Sequence, residues 1–371
     1  MSVKSFAALC VATLIALVFA GMAIVGQPRL ESADKQGELL FPNLVTDAER
    51  LKSVVIRHGG ETISLDWDGK TWQARERGNF PANREKVTDL IVSLARMTKV
   101  EGKTKAEDRY ARLEVEDPAG KDAKSRQVAL LDAGGKEIAG LIVGKRQDSL
   151  GSKEGGTYVR LAGDPQVWLA TGEITAETAI GDWLDKNIAD IKDVTVNRVT
   201  VTHPNGEKII VARAAPQSQS LLIENLPKGA KPASEFIADE YGRLLTAMTL
   251  EDVARSEDKP FPRDKTVTAL VEGLEGFQVS LELAEVAGQN WVRIKGTPPG
   301  AAPGATEGKA DAAAGVDLRT DWAKQMADIN RRADGWVFQV PEYQIAPLKR
   351  RMADLVKKPE AASSKPVASP N

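Results

Sequence analysis

The sequence has few of the residue types that most often perform chemistry in proteins. Its 371 residues include one cysteine and two histidines. The cysteine, Cys10, lies inside an apolar N-terminal stretch, so the rest of the chain has neither a disulfide nor a cysteine-based zinc site. A Ser-His-Asp hydrolase would have to use His58 or His203, and the Gly-x-Ser-x-Gly motif of such enzymes does not occur.

Excess charge and phosphate-binding loops are missing as well. The 50 basic and 52 acidic residues give a formal net charge of −2, which does not favour nucleic-acid binding. Gly102-Lys103-Thr104 could end a phosphate loop, but Met97 stands where that loop requires its first glycine. The sequence therefore predicts no catalytic residue, no cofactor, no metal site and no nucleic-acid partner.

One long apolar stretch is present at the N-terminus. Residues 6–26 contain no charged side chain and match the roughly 20 residues that a membrane-spanning helix needs. They predict a single-pass membrane anchor, with the bulk of the chain outside the cytoplasm. A cleaved signal peptide is the alternative, although its apolar core is normally about 7–15 residues long.

A duplicated pattern organises the rest of the chain. Residues 54–68 and 199–211 each combine a β-branched run, a histidine, a glycine-bearing turn, a glutamate and a second apolar strand. Further on, residues 158–161 and 291–294 both read aromatic, valine, arginine, aliphatic. The repetition predicts one structural unit that is used twice.

The hydrophobic periodicity predicts an α+β fold. We expect an N-terminal transmembrane helix and then two tandem repeats, each an antiparallel sheet of hairpins packed on an amphipathic helix. Predicted helices cover residues 83–94, 175–188, 234–248, 318–332 and 345–356. The predicted boundaries are residues 1–28 for the anchor, 29–46 for a spacer, 47–173 for repeat 1, 174–195 for a connecting helix, 196–356 for repeat 2 with a disordered insertion at 297–316, and 357–371 for a flexible tail.

Four residues are the candidates for ligand binding: Tyr158, Arg160, Trp291 and Arg293. In each copy an arginine follows an aromatic residue by two positions, so both side chains share one face of a strand. Such a pair can stack or receive an anionic group, and we predict a ligand groove between the repeats. A solvent-facing arginine without function is the more common alternative.

The histidines and the acidic clusters have simpler interpretations. His58 and His203 lie beside matching turns, where a polar residue is expected in any case. The acidic runs at residues 114–117 and 182–193 do not follow the spacing of a calcium loop, and a solvated face is their predicted role.

Four segments resemble a known bacterial family. They are VWL at residues 167–169, DWLDKNIADI at 182–191, VTVTHPNGE at 199–207 and GWVF at 335–338. Over roughly residues 45–356 the chain resembles the family called domain of unknown function 4340. The resemblance implies a single-span envelope protein of the bacterial inner membrane, with its bulk in the periplasm, that is associated with an ABC-type exporter. It assigns no catalytic residue.

These observations lead to one main functional hypothesis. We expect a non-enzymatic, membrane-anchored extracytoplasmic accessory protein that docks to an ABC-type permease, its ATPase or an auxiliary subunit. The alternative is an envelope module that binds a lipid, glycan or peptide between the repeats. A hydrolase that uses a pair of carboxylates is a third hypothesis, which needs two converging acidic side chains.

Overall fold

The computed structural model describes residues 35–148, 155–215, 218, 220–300 and 318–357. The chain divides into two compact units, Met1–Asp185 (unit 1) and Lys186–Asn371 (unit 2). The predicted anchor over residues 6–26, most of the predicted insertion and nearly all of the predicted tail fall outside the described residues. Within the described ranges, no helix is long and apolar enough to cross a membrane.

Unit 1 is built on a nine-stranded antiparallel sheet in the order β4-β3-β2-β1-β6-β7-β8-β9-β5. The strands are β1 Leu51–His58, β2 Glu61–Trp67, β3 Trp72–Ala74, β4 Phe80–Pro81, β5 Lys99–Thr104, β6 Arg126–Asp132, β7 Glu137–Gln147, β8 Gly156–Leu161 and β9 Val167–Thr171. The α-helices are α1 Leu44–Asp47, α2 Arg84–Arg96 and α3 Tyr110–Leu113, and 3-10 turns occur at Ala48–Arg50, Arg75–Arg77, Glu107–Arg109 and Ile180–Trp183.

Local sequence signals explain the first hairpin and the longest helix of unit 1. The turn between β1 and β2 uses Gly59 and Gly60 at φ +58° and +84°, a region that glycine enters without steric cost. Helix α2 begins after Asn83, whose side chain accepts a hydrogen bond from Lys86 N at 3.0 Å. Its apolar residues Val87, Leu90 and Leu94 are buried, as the periodicity predicts. The predicted helix is therefore confirmed.

Unit 2 contains an eight-stranded antiparallel sheet in the order β13-β12-β11-β16-β17-β18-β19-β15 and a two-stranded sheet of β10 and β14. The strands are β10 Asn187–Ala189, β11 Val196–Thr202, β12 Lys208–Arg213, β13 Leu221–Ile223, β14 Met248–Thr249, β15 Asp252–Arg255, β16 Val267–Gly273, β17 Gln278–Val286, β18 Gln289–Thr297 and β19 Trp336–Gln339. The helices are α4 Asp239–Gly242, α5 Leu318–Ala333, α6 Glu342–Lys349 and α7 Met352–Leu355, with 3-10 turns at Asp193–Thr195 and Ser256–Asp258.

The two large sheets have the same strand order. Eight strands of unit 1 correspond one by one to the eight strands of unit 2: the order β3-β2-β1-β6-β7-β8-β9-β5 matches the order β13-β12-β11-β16-β17-β18-β19-β15. Unit 1 has one further strand, β4, at the edge beside β3. Strands β8 and β18 therefore hold corresponding positions. They carry Arg160 and Arg293, respectively.

The predicted α+β class is wrong. The described chain consists mainly of antiparallel sheets, and most of its helices are short. Residues 234–248 form a helix over Asp239–Gly242 alone, and residues 175–188 form a 3-10 turn and part of β10. In the first case Gly242 weakens the helix, and Asp239 uses its carboxylate to accept a hydrogen bond from Leu221 N of β13. Packing contacts thus override a weak helical pattern.

The predicted C-terminal helix over residues 345–356 is also interrupted. Helix α6 contains Pro347 and ends at Lys349, and α7 begins at Met352. The intervening backbone is held by β11 and its turn, because Arg350 O accepts a hydrogen bond from His203 Nε2 at 2.8 Å. Met352 N likewise donates to Glu207 Oε1 at 2.7 Å.

The periodicity predicts helix α5 of unit 2 correctly. Trp322, Met326 and Ile329 are all buried, as their shared stripe indicates. Gly296 of β18 permits this packing, since a Cβ at that position would lie 2.8 Å from Met326 Sδ. The sheet of unit 2 is therefore covered by α5 at β18.

Candidate functional site

A row of four side chains crosses the sheet of unit 1. Arg57 of β1 pairs with Gln127 of β6, Gln127 with Ile142 of β7, and Ile142 with Arg160 of β8. Directly paired residues of antiparallel strands point to the same face of a sheet. We call these residues the unit 1 row.

The corresponding strands of unit 2 carry an equivalent row. Thr202 of β11 pairs with Thr268 of β16, Thr268 with Glu282 of β17, and Glu282 with Arg293 of β18. We call these residues the unit 2 row. The rows end in the same residue type, arginine, but differ at the neighbouring position, where unit 1 has isoleucine and unit 2 has glutamate.

Arg293 is satisfied inside unit 2. Its guanidinium lies over the ring of Phe261, 4.4 Å from the centroid, and its Nη1 donates to Glu282 Oε2 at 2.8 Å. Phe261 lies in the segment that connects β15 to β16. The arginine therefore fastens this connecting segment to the face of the sheet.

Arg160 makes a similar stack in unit 1 but has a different polar partner. Its guanidinium lies 4.6 Å from the ring centroid of Tyr110, in the segment that connects β5 to β6. Its Nε donates to the carbonyl of Val115 at 3.2 Å. Across the strand it faces Ile142, which is 7% exposed. Among the described residues, no carboxylate forms an ion pair with Arg160.

The segment beneath Arg160 is held firmly. Tyr110 Oη donates to Pro165 O at 2.7 Å, and Tyr110, Val115, Ile142 and Val167 form a buried apolar cluster. Gly144 of β7 lets the segment approach, because a Cβ there would lie 2.6 Å from Val115 Cγ1 and would collide with a backbone carbonyl. Arg160 thus rests on a rigid apolar support.

The two aromatic candidates have different environments. Tyr158 is half-buried on β8, its Oη donates to Gln147 Oε1 at 3.4 Å, and Lys145 Nζ lies 6.0 Å from its ring centroid. Trp291 is 3% exposed, and Lys259 Nζ lies 4.4 Å from its ring. Tyr158 and Arg160 belong to unit 1, and Trp291 and Arg293 belong to unit 2. Within its unit, Tyr158 is accessible to a ligand, whereas Trp291 is a core residue.

The unit 2 row borders an open cleft of about 430 Å³. The residues that line it include Thr202, Thr268, Phe261, Arg263 and Glu282. Small-ligand sites often combine an apolar wall with a few polar groups in this way. Sequence reasoning missed this cleft, because the strand register that assembles it joins residues far apart in the chain.

Both histidines bind backbone carbonyls. His58 Nδ1 donates to Ser125 O at 2.9 Å, and His203 Nε2 donates to Arg350 O at 2.8 Å. His203 is 3% exposed, and this burial, together with the charge of Arg351, lowers its pKa. Over the described ranges, no group of three or more His, Cys, Asp or Glu side chains has metal-binding geometry.

The lowered pKa of His203 makes the stability of unit 2 depend on pH. Because the folded unit favours the neutral ring, the unfolded chain takes up the proton first, and stability should fall as the pH drops below about 6.5. Urea unfolding at a series of pH values should show a smaller loss for His203→Gln, whose amide still donates to Arg350 O. Glu207, whose pKa is lowered mainly by the Met352 N–H, affects stability at more acidic pH. Equal losses in wild type and variant would contradict this assignment.

A buried arginine in unit 2 escaped the sequence analysis. Arg213 is 9% exposed, and its guanidinium donates to three backbone carbonyls, those of Val196, Ser218 and Asp193, each at 2.5 Å. An arginine at the end of a predicted strand gives no signal of such a role. Arg213 ties the beginning of β11 to the loop that follows β12.

Comparison with known proteins identifies one family. The family described as Domain of unknown function (DUF4340) matches residues 72–282, more than half of the 371-residue chain. No curated protein and no solved structure gives a significant match. The matched stretch begins in β3 of unit 1 and ends in β17 of unit 2, so it includes Arg160 and Glu282. The chain therefore belongs to the DUF4340 family.

Proposed function

We propose that this chain is a non-enzymatic accessory protein that acts by docking to other envelope components, as an auxiliary part of an ABC-type export system. One observation carries the proposal: His58, His203, Arg160 and Arg293 all bind connecting or C-terminal segments of their own units. These four side chains, which could otherwise be candidates for catalysis, therefore hold connecting segments in place on the sheets. A surface that is held in this way on an antiparallel sheet is suited to binding another protein.

The export partnership and the location belong to the same proposal. It rests on what the resemblance of the sequence implies, namely a single-span envelope protein associated with such an exporter. An inner-membrane location with the bulk of the chain in the periplasm fits the charge-free residues 6–26, which lie outside the described ranges.

Affinity capture tests the partnership directly. A tagged full-length chain should recover a permease together with its ATPase from detergent extracts, identified by mass spectrometry. An unrelated envelope protein with the same tag serves as the control and should recover neither. If the tagged chain also recovers neither, the export role is wrong.

A second candidate function, binding of an envelope ligand, is favoured by the cleft at the unit 2 row. Two threonine hydroxyls, a glutamate, an arginine and a phenylalanine ring suit a neutral glycan better than a lipid. Calorimetric titration with a soluble tetrasaccharide should show binding that Phe261→Ala weakens about tenfold, a loss of about 1.4 kcal/mol. Phe236→Ala is the matched control, because Phe236 is 67% exposed and does not line this cleft. Equal affinities for both variants would exclude this site.

A further inference from the structure

We propose that Arg160 is a binding site for a carboxylate, and that its occupant is an acidic peptide segment. The site lies wholly within unit 1 and does not depend on the export partnership. It also differs from the cleft of unit 2 in position and in ligand class. Comparison of the two rows carries the inference.

Unit 2 contains an internal example of the proposed complex. Arg293 stacks on Phe261 and receives the carboxylate of Glu282 from the next strand. Arg160 occupies the corresponding strand of unit 1 and stacks on Tyr110 at nearly the same distance. Its cross-strand neighbours are Ile142 and Val167, and neither side chain offers an acceptor. A carboxylate like the one that unit 2 supplies internally would come from outside in unit 1.

The two acidic residues that follow or precede Val115 do not supply this carboxylate. Glu116 Oε1 accepts hydrogen bonds from Lys124 N at 2.6 Å and from Ser125 N at 3.3 Å, and its Oε2 is buried without a hydrogen-bond partner. Glu114 Oε1 lies 3.9 Å from Lys124 Nζ. Neither bonds to Arg160 among the described contacts, and Nη1 and Nη2 of Arg160 have no described acceptor.

The guanidinium of Arg160 is already held in a fixed orientation before a ligand binds. The Tyr110 ring and the Val115 carbonyl fix its orientation, so little side-chain entropy is lost when a ligand binds. The buried cluster of Tyr110, Val115, Ile142 and Val167 lies against it and lowers the local dielectric constant. An ion pair in such a place is stronger than one in open water.

The surroundings favour a peptide over a small acid. Tyr158 and Arg160 are alternate residues of β8, about 7 Å apart on one face, which is also the spacing of alternate side chains in an extended peptide. Lys145 lies beside Tyr158 and provides a second cation. An extended segment with one acidic side chain at Arg160 therefore places its next side chain on that face beside Tyr158, where Lys145 also lies.

Fluorescence anisotropy of a dye-labelled hexaglutamate tests the proposal with the full chain in low salt, where ion pairs are least screened. We expect saturable binding, no binding of the matching hexaglutamine, and at least a tenfold loss for Arg160→Gln. Lys145→Gln, at an exposed position, should weaken binding a few-fold without affecting the fold. Arg198→Gln is the control, since Arg198 is paired with Glu224 in unit 2.

Two further variants exchange the residue that faces the arginine, which is isoleucine in the unit 1 row and glutamate in the unit 2 row. Ile142→Glu supplies the internal carboxylate and should abolish binding, and Glu282→Gln frees Arg293 and should add a second site per chain. Thermal unfolding of each variant shows whether it is folded. The proposal is overturned if hexaglutamate does not bind, if hexaglutamine binds equally, or if Arg160→Gln leaves the affinity unchanged. Competition by free glutarate at an equal carboxylate concentration would show a small-acid site and overturn the peptide assignment.

Discussion

Replacing Arg213 with methionine is expected to lower the free energy of unfolding of unit 2 by about 3–4 kcal/mol. The substitution keeps much of the apolar volume but leaves one buried and two part-buried carbonyls without their charged donor. Each lost charge-assisted bond costs about 1–3 kcal/mol, partly offset as the loops relax and admit water. Urea unfolding followed by tryptophan fluorescence measures the change.

Arg198→Met is the matched control for this prediction. Arg198 lies on β11 of the same sheet, but its side chain is 37% exposed and pairs with Glu224 on the surface. Such pairs contribute about 0–1 kcal/mol, so this variant should remain close to wild type. Similar losses for the two variants would show that burial of Arg213 among carbonyls does not stabilise unit 2.

Replacing Gly144 with alanine is expected to destabilise unit 1 by about 2–3 kcal/mol. The added methyl group would collide with the Leu113 carbonyl and approach Val115 Cγ1, so the segment from α3 to Val115 must move away from β7. Since the Val115 carbonyl orients Arg160, the variant should also lose affinity for hexaglutamate. Unfolding and anisotropy measure these two effects separately.

Gly134→Ala, in the turn between β6 and β7, provides the comparison. A Cβ at Gly134 would meet Asp132 Oδ1 at 3.4 Å, an ordinary contact, and the change should have little effect on stability or binding. If Gly144→Ala behaves in the same way, the connecting segment does not pack on β7 as described.

Local features of the fold were predictable from sequence. The β1–β2 hairpin around His58 and Gly60 and helix α2 after Asn83 follow from turn chemistry, capping and apolar spacing. The helix predicted over residues 234–248 failed because the same spacing also occurs in turns that bury Tyr241 and Leu245. Periodicity alone does not distinguish these cases when a stretch is short.

The candidate site was only partly predictable. Arg160 and Arg293 could be selected because each follows an aromatic residue on a strand, and the structure places each on a ring from a connecting segment. No sequence pattern identified the ring on which each arginine stacks, because Tyr110 and Phe261 are far in sequence from β8 and β18. The difference between Ile142 and Glu282 has meaning only once the strand register aligns each with its arginine.

The central claim is that Arg293 already holds a carboxylate of its own chain, whereas Arg160 does not. Nitrogen–proton correlation spectra of the arginine Nε–Hε groups test it, with Arg160→Lys and Arg293→Lys assigning the two signals. In the free protein, the Arg293 signal should move in Glu282→Gln, because this variant removes the carboxylate that Arg293 holds. The Arg160 signal should be the same in wild type and in Glu282→Gln, and it should move when hexaglutamate is added. An Arg293 signal that is unchanged in Glu282→Gln, or an Arg160 signal that does not respond to hexaglutamate, would contradict the account.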